Sequence, residues 1–175
     1  DFFIKKFVNS NTKEGNILEI PLGSGYFLCE FLRKNPNWQG TGIDLSEKCI
    51  NFSKNILDTN NISKQSYHLI KDNLWTYNPE NKFDRIMCGE FLEHLEDPLA
   101  CLKKLYDLME DDGKLFLTVA VYAAMIDHIY LYRNSQEVRD HIIEAGFKIE
   151  HELVQAVFDN DDNNPEKLNI PASYT

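Results

Sequence analysis

The chain has 175 residues, a net charge of −10, 43% apolar residues and 26% charged ones. That length predicts one domain over 1–175 with a real core, and the acidic balance argues against broad nucleic-acid binding, because it repels phosphate backbones. No run of eighteen apolar residues and no leader is visible, so no membrane span is expected. Cys29, Cys49, Cys88 and Cys101 form no CxxC pair and read as reduced core residues of a cytoplasmic protein.

The chain opens at Asp1 inside an apolar-periodic segment and closes on Ile170–Thr175, which reads as the entry to a strand; both ends are expected to be trimmed. Phe2, Phe3, Phe7 and Val8 recur at helical spacing, predicting a helix end over 1–9. Ile17 to Pro21 reads as a strand. Phe27, Leu28, Phe31 and Leu32 give residues 26–34 a helix face, stopped by Asn35-Pro36. Gln39 to Ile43 is a second strand. Ser46 can cap a helix whose inner face is Cys49, Ile50, Ser53, Ile56 and Leu57. Tyr67 to Ile70 is a third strand, Asn78 to Asn81 a loop, and Phe83 to Cys88 a fourth strand covered on both faces.

Asp97-Pro98 opens a helix with Leu99, Leu102, Leu105 and Met109 on one face. Asp111-Asp112-Gly113 then turns into a strand from Lys114 to Val121. Asn134 and Glu137 fit a capping box for a helix running to Ala145, with Gly146 just past its end. Phe147 to Phe158 is expected as a last strand and Asp159 to Asn164 as a solvated loop. Strands alternating with helices of ten to fifteen residues predict an α/β fold, Rossmann-like, with a largely parallel, seven-strand-type sheet and helices on both faces.

In such sheets a ligand lies beyond the carboxyl ends of the strands. The first strand ends at Gly23-Ser24-Gly25, the second at Asp44, the third at Asp72-Asn73-Leu74 and the fourth at Gly89-Glu90. Glycines let the backbone approach a ligand, and carboxylates accept from a ribose diol or an exocyclic amine. Taken singly, Gly23 and Gly25 also fit an ordinary turn, and Asp44 a helix-flanking acid.

The stretches Ile17–Gly25, Gly42–Ser46 and Phe83–Pro98, continued by Asp111–Leu115 and Glu144–Phe147, resemble the successive motifs of class I S-adenosylmethionine-dependent methyltransferases. The resemblance implies that Gly23 and Gly25 approach the methionine part, with Glu19 orienting their loop. It implies that Asp44 binds the ribose hydroxyls, Leu45 packs on adenine, Asp72 accepts from the adenine amino group, and Asn73, Leu74 and Gly89 border the cofactor. Pro21 departs from the family, which has a glycine there. A nicotinamide-dependent oxidoreductase is disfavoured because Leu28 occupies the place of the third glycine of that fingerprint.

Glu90, Glu93 and His94 are spaced to share one face of a helical turn, and His128 follows the fifth strand at the same predicted edge. Two carboxylates and two imidazoles suit Mn²⁺, Fe²⁺, Co²⁺ or Zn²⁺ better than Mg²⁺. The element also resembles the Glu-x-x-Glu-His of ubiquinone-pathway O-methyltransferases and of small-RNA terminal-ribose methyltransferases, which implies a metal that holds substrate hydroxyl oxygens. A surface helix start is the plain alternative for Glu93-His94. Without a metal, His128 or His94 is the candidate general base.

His68, His141 and His151 read as structural. Tyr122, Met125, Tyr130 and Tyr132 either wall a pocket or cover the core. The expected function is O-methylation of a hydroxylated small molecule such as a sugar or quinone precursor. The alternatives are a non-catalytic cofactor-binding partner, or an N-methyltransferase with a histidine base.

Overall fold

Ile17 and Leu18 have no exposed surface and begin the core of the protein in a computed structural model, which describes residues 7, 14–154 and the backbone of 170–174. The expected helix over 1–9, the strand residues 155–158 and the loop 159–164 lie outside the described residues, apart from helical, buried Phe7. The chain divides into two compact units, residues 1–88 with 108–115, and residues 89–107 with 116–175.

In the first unit, β1 (Gly15–Glu19), α1 (Tyr26–Lys34), β2 (Trp38–Asp44), α2 (Glu47–Thr59), β3 (Tyr67–Lys71) and β4 (Phe83–Gly89) alternate as expected. β2 and β4 flank β1 and β3 lies beyond β2, all three pairings being parallel. The register places Glu19 opposite Gly42 and Asp44 opposite Lys71, so the carboxyl ends of these strands share one edge. β1 ends at Glu19, two residues before the expected Pro21. Proline has no N–H to give a ladder. Ile20 donates to Met87 at 2.9 Å and Leu22 to Ile43 at 2.8 Å, so the amides on either side of Pro21 are both used.

Leu28, Phe31 and Leu32 of α1 are buried, and Phe31 meets Trp38 edge to face at 5.1 Å. Full burial of such side chains is worth about 1.5–3 kcal/mol each. Ser46 caps α2, its Oγ accepting from the Cys49 N–H.

The second unit holds α3 (Pro98–Asp107), the later half of β5 (Met109–Val121), α4 (Ser135–Glu144), β6 (Glu152–Val154) and β7 (Ile170–Tyr174). β7 pairs antiparallel with β5 and with β6. Three boundaries differ from expectation. Met109 belongs to β5 and not to the helix, and Asp111-Asp112-Gly113 lies within that strand. The Leu108 carbonyl accepts from the Phe83 N–H at 2.9 Å, so sheet pairing overrides the helical period there.

Of the strand expected from Phe147, the described residues form only Glu152–Val154. Phe147 donates to the Ile142 carbonyl and Gly146 to that of Ile143, the double bond of a Schellman helix end, and the Phe147 ring packs on Tyr106 at 5.2 Å. These residues close α4 and cannot also start a strand. Cys29, Cys88 and Cys101 are buried and Cys49 is half-buried, all as free thiols. Among the described residues no helix is long and apolar enough to cross a membrane.

Candidate functional site

The turn after β1 is built from backbone. Gly23 and Gly25 have φ of 52° and 67°, a region that costs an L side chain roughly 1–2 kcal/mol. A Cβ on Gly25 would lie 2.7 Å from the Ser53 Oγ, whereas a Cβ on Gly23 would meet nothing within 4 Å. Gly25 is therefore needed for packing against α2, and Gly23 presents bare backbone to an open space.

Three side chains hold this turn. Asp44 accepts the Gly23 N–H on Oδ2 at 2.9 Å and the Ser46 N–H on Oδ1 at 2.8 Å. Fully buried Ser53 donates its hydroxyl to the Gly23 carbonyl at 3.1 Å. Glu19 accepts the Leu28 N–H at 2.9 Å, capping α1 from outside because the N-cap residue, Gly25, has no side chain. Burial pushes the Glu19 carboxyl up to about 8, against the lowering effect of that one hydrogen bond.

Asp72 joins the same edge, its N–H donating to the Asp44 carbonyl at 3.2 Å. The Asp72 Oδ1 accepts from the Asn73 N–H and the Thr76 hydroxyl, and the Asn73 Oδ1 accepts from Trp75. Leu45 is 67% exposed, an apolar face open to a flat ring, while Leu74 is buried. Gly89 ends β4. The turn, Asp44 and Asp72 are thus one hydrogen-bonded constellation. Ser53 was legible only as a face residue of α2; a serine at that position of an otherwise apolar face was its one signal.

The second site is built from side chains. Leu92–His94 is a single 3-10 turn, and Glu90 precedes it with φ of 46°. The helical turn expected to align Glu90, Glu93 and His94 is therefore absent. The atoms that converge belong to Glu93, His94 and His128, all within 4.8 Å of one another; Glu90 is outside this group. The Glu90 N–H is spent on Thr118, with the carbonyl at 3.0 Å and Oγ1 at 3.2 Å.

Glu93 is 1% exposed, and among the described residues neither carboxylate oxygen has a partner at good hydrogen-bond geometry, its own backbone amide and the Glu90 carboxyl being its nearest polar neighbours. Burial raises its carboxyl to about 7, with its own backbone amide and the His94 ring opposing the rise and the Glu90 carboxylate adding to it. His94 Nδ1 lies 2.8 Å from the Asp127 carbonyl and His128 Nδ1 lies 2.6 Å from that of Ala123. A carbonyl only accepts, so both imidazoles carry a proton on Nδ1, and Nε2 is the nitrogen through which either ring would ligate a cation. Backbone carbonyls orient metal-binding histidines in this way. A buried carboxylate with so few donors, beside two imidazoles, fits a divalent cation of the Zn²⁺, Co²⁺ or Fe²⁺ type.

Of the remaining residues, Tyr132 is core, its hydroxyl 3.1 Å from His141 Nδ1, whereas Met125 and Tyr122 are exposed. Tyr130 lines an open groove of about 700 Å³ with Ile129, Arg133 and Glu137. His68 is exposed on β3.

A glycine turn between a parallel strand and a helix, tied to the acid at the next strand end and with a second acid one strand further on, is the arrangement of a Rossmann-like fold. The methyltransferase-domain family matches residues 2–152, and the chain belongs to it. The chain is similar to malonyl-[acyl-carrier protein] O-methyltransferase 1 of Ilyobacter polytropus, with 30% identity over 110 residues, 62% of this chain and 39% of that protein. It is 32% identical over 117 residues to a ubiquinone biosynthesis O-methyltransferase of Hydrogenovibrio crunogenus, covering 66% of this chain and 46% of that one. It spans less than half the length of these two curated relatives. An S-adenosylmethionine-dependent methyltransferase from Clostridium acetobutylicum shares the fold, with a TM-score of 0.72 over 99% of this chain and 88% of that one, at 13% identity.

Proposed function

We propose that the chain acts as one methyltransferase domain, transferring a methyl group from S-adenosylmethionine to a hydroxyl oxygen of a small molecule with help from a divalent cation. S-adenosylmethionine supplies an electrophilic methyl carbon, so the protein's task is alignment and exclusion of water. Gly23 and Gly25 offer backbone to the cofactor's amino-acid part. Asp44 has a second lone pair on each oxygen for the ribose hydroxyls, and Leu45 offers its exposed side chain to the adenine. Asp72, Asn73, Leu74 and Gly89 complete the border.

Glu93, His94 and His128 would hold the cation, and a cation held there would supply Lewis acidity toward an acceptor hydroxyl. Glu93 is the observation that carries this half of the reading. A buried carboxylate with two bare oxygens is costly unless a cation or proton joins it. The two curated relatives are both O-methyltransferases, which supports oxygen as the acceptor atom. The net charge of −10 favours a small acceptor over a polynucleotide.

The test is transfer of a labelled methyl group from S-adenosylmethionine to a panel of sugars, catechols and hydroxylated quinone precursors, with and without chelator. Turnover that chelation abolishes and Co²⁺ or Zn²⁺ restores is expected. Turnover indifferent to chelation would move the chemistry to a histidine base, His128 or His94. No cofactor binding at high micromolar concentration would defeat the assignment.

A further inference from the structure

His128 reaches its partners from a stretch, residues 122–134, that contains neither helix nor strand, so something else must fix it to the tolerance an ion site needs. We infer that Tyr130 and Glu137 are positioning residues for the Glu93/His94/His128 site, an inference that rests on the ion reading above. Glu93 uses its own backbone carbonyl to accept the Ile129 N–H at 2.8 Å and the Tyr130 N–H at 2.9 Å. The peptide one residue beyond His128 is thus clipped to the residue that supplies the carboxylate. The outer end of the clip is the Tyr130 hydroxyl, which donates to the Glu137 Oε1 at 2.8 Å.

Glu137 belongs to the first turn of α4, where its N–H donates to the Asn134 Oδ1 at 3.0 Å. A reciprocal capping box would return the Glu137 carboxylate to the N–H of Asn134. Instead Oε2 accepts the Arg133 N–H at 2.9 Å, and Oε1 takes Tyr130. The carboxylate therefore serves the loop as well as the helix. Two hydrogen bonds and one side chain connect α4 to the Glu93 backbone: Glu137 to the Tyr130 hydroxyl, and the Tyr130 amide to Glu93. The Tyr130 ring packs at tilted angles on Tyr132 and His141, with centroids 4.9 and 5.8 Å away, and these contacts hold its hydroxyl toward Glu137. The pair also lines the open groove, so removing the hydroxyl leaves the core intact.

The experiment titrates Co²⁺ into the full chain, read by its visible absorption, and S-adenosylmethionine by calorimetry. Tyr130→Phe should weaken Co²⁺ binding by about 2–10-fold, the energy of one net hydrogen bond, and alter the band shape, with cofactor affinity unchanged. Glu137→Ala should do the same and Glu137→Gln, which keeps one acceptor oxygen, should restore part of it. Tyr132→Phe is the control. It loses a buried hydroxyl bonded to His141, so it should lower Tm while leaving Co²⁺ affinity alone. Co²⁺ affinity within twofold of wild type in both Tyr130→Phe and Glu137→Ala would overturn the inference. Wild-type protein that binds no Co²⁺ at all would overturn the ion reading beneath it.

Discussion

The glycine turn and the Glu93 cluster solve opposite problems. At the turn, side chains serve the backbone: Asp44, Ser53 and Glu19 each bond main-chain groups, and the surface left for a ligand is peptide. At the cluster, the backbone serves side chains: the carbonyls of Ala123 and Asp127 orient two imidazoles, and what is left over is a set of lone pairs. A site of peptide suits a ligand recognised by shape and hydrogen bonds. A site of lone pairs suits a cation. Substitutions should therefore separate the two, with backbone changes abolishing cofactor binding and charge changes abolishing metal binding.

The largest effect belongs to Gly25→Val. It places a branched Cβ 2.7 Å from Ser53 at a φ of 67°. Strain of this type costs about 1–3 kcal/mol before the clash is counted. Calorimetry should show loss of S-adenosylmethionine binding, and melting curves a lower Tm. Gly23→Ala, with open space around its Cβ, should fold closer to normally yet still weaken the cofactor, because the methyl group fills that space. If Gly23→Ala binds cofactor as tightly as wild type, the open space is not the ligand's.

Next is Glu93→Gln, which removes the charge and retains the shape. Metal-dependent stabilisation of wild type, seen as a rise in Tm with Co²⁺ or Zn²⁺, should vanish in the variant. Cofactor affinity should stay within about twofold. Metal-free Glu93→Gln should be at least as stable as metal-free wild type at pH 8, since an unpartnered buried charge has been removed. A variant that still gains stability from the metal would show that Glu93 is not a ligand.

These two sites were unequally legible in the sequence, for a physical reason. The turn's elements are local: glycines at two positions, an acid at the end of each following strand, and parallel strands that bring those ends to one edge. The spacing of Gly23, Gly25, Asp44 and Asp72 therefore located these residues at one edge, where Asp44 is hydrogen-bonded to the Gly23 and Ser46 amides. The cluster was legible in its residue types only. Spacing suggested that Glu90 shares a helical face with Glu93. The chain instead takes a positive φ at Glu90, spends that amide on Thr118, and forms only three residues of 3-10 helix. The contribution of the 122–134 loop depends on contacts such as Tyr130 with Glu137, which no periodicity encodes. The same limit explains Met109 and Phe147, where a strand partner and a helix end overrode good local patterns.

Glu19 also gives the turn a pH signature of its own. The Glu19 carboxyl lies at about 8 in the folded chain against an ordinary 4.5. Between those values the folded state holds a proton that the unfolded state has released, so stability falls as pH rises through the window, by up to ~1.4 kcal/mol per pH unit. Glu19→Gln keeps an oxygen for the Leu28 N–H and has no proton to lose. Its stability should be flatter than wild type from pH 5 to 8 in urea titrations. Equal slopes in the two proteins would mean that Glu19 is ionised in the fold.

The smallest expected effect is the sharpest probe of how the turn is held. Ser53→Ala removes one hydroxyl, the donor to the Gly23 carbonyl, and leaves Asp44 holding the Gly23 amide. A hydrogen bond of this type contributes about 0.5–1.5 kcal/mol, and here the bared carbonyl belongs to the residue facing the open space. If the turn's function is to present peptide to the cofactor, the loss should appear in cofactor affinity, a weakening of about 2–10-fold at one net hydrogen bond's energy, together with a Tm drop of a few degrees. The metal-dependent rise in Tm should be untouched. The informative outcome is the ratio: a Tm loss with unchanged cofactor affinity would assign Ser53 to the packing of α2 alone. It would also mean that Asp44 by itself sets the geometry of the Gly23 peptide.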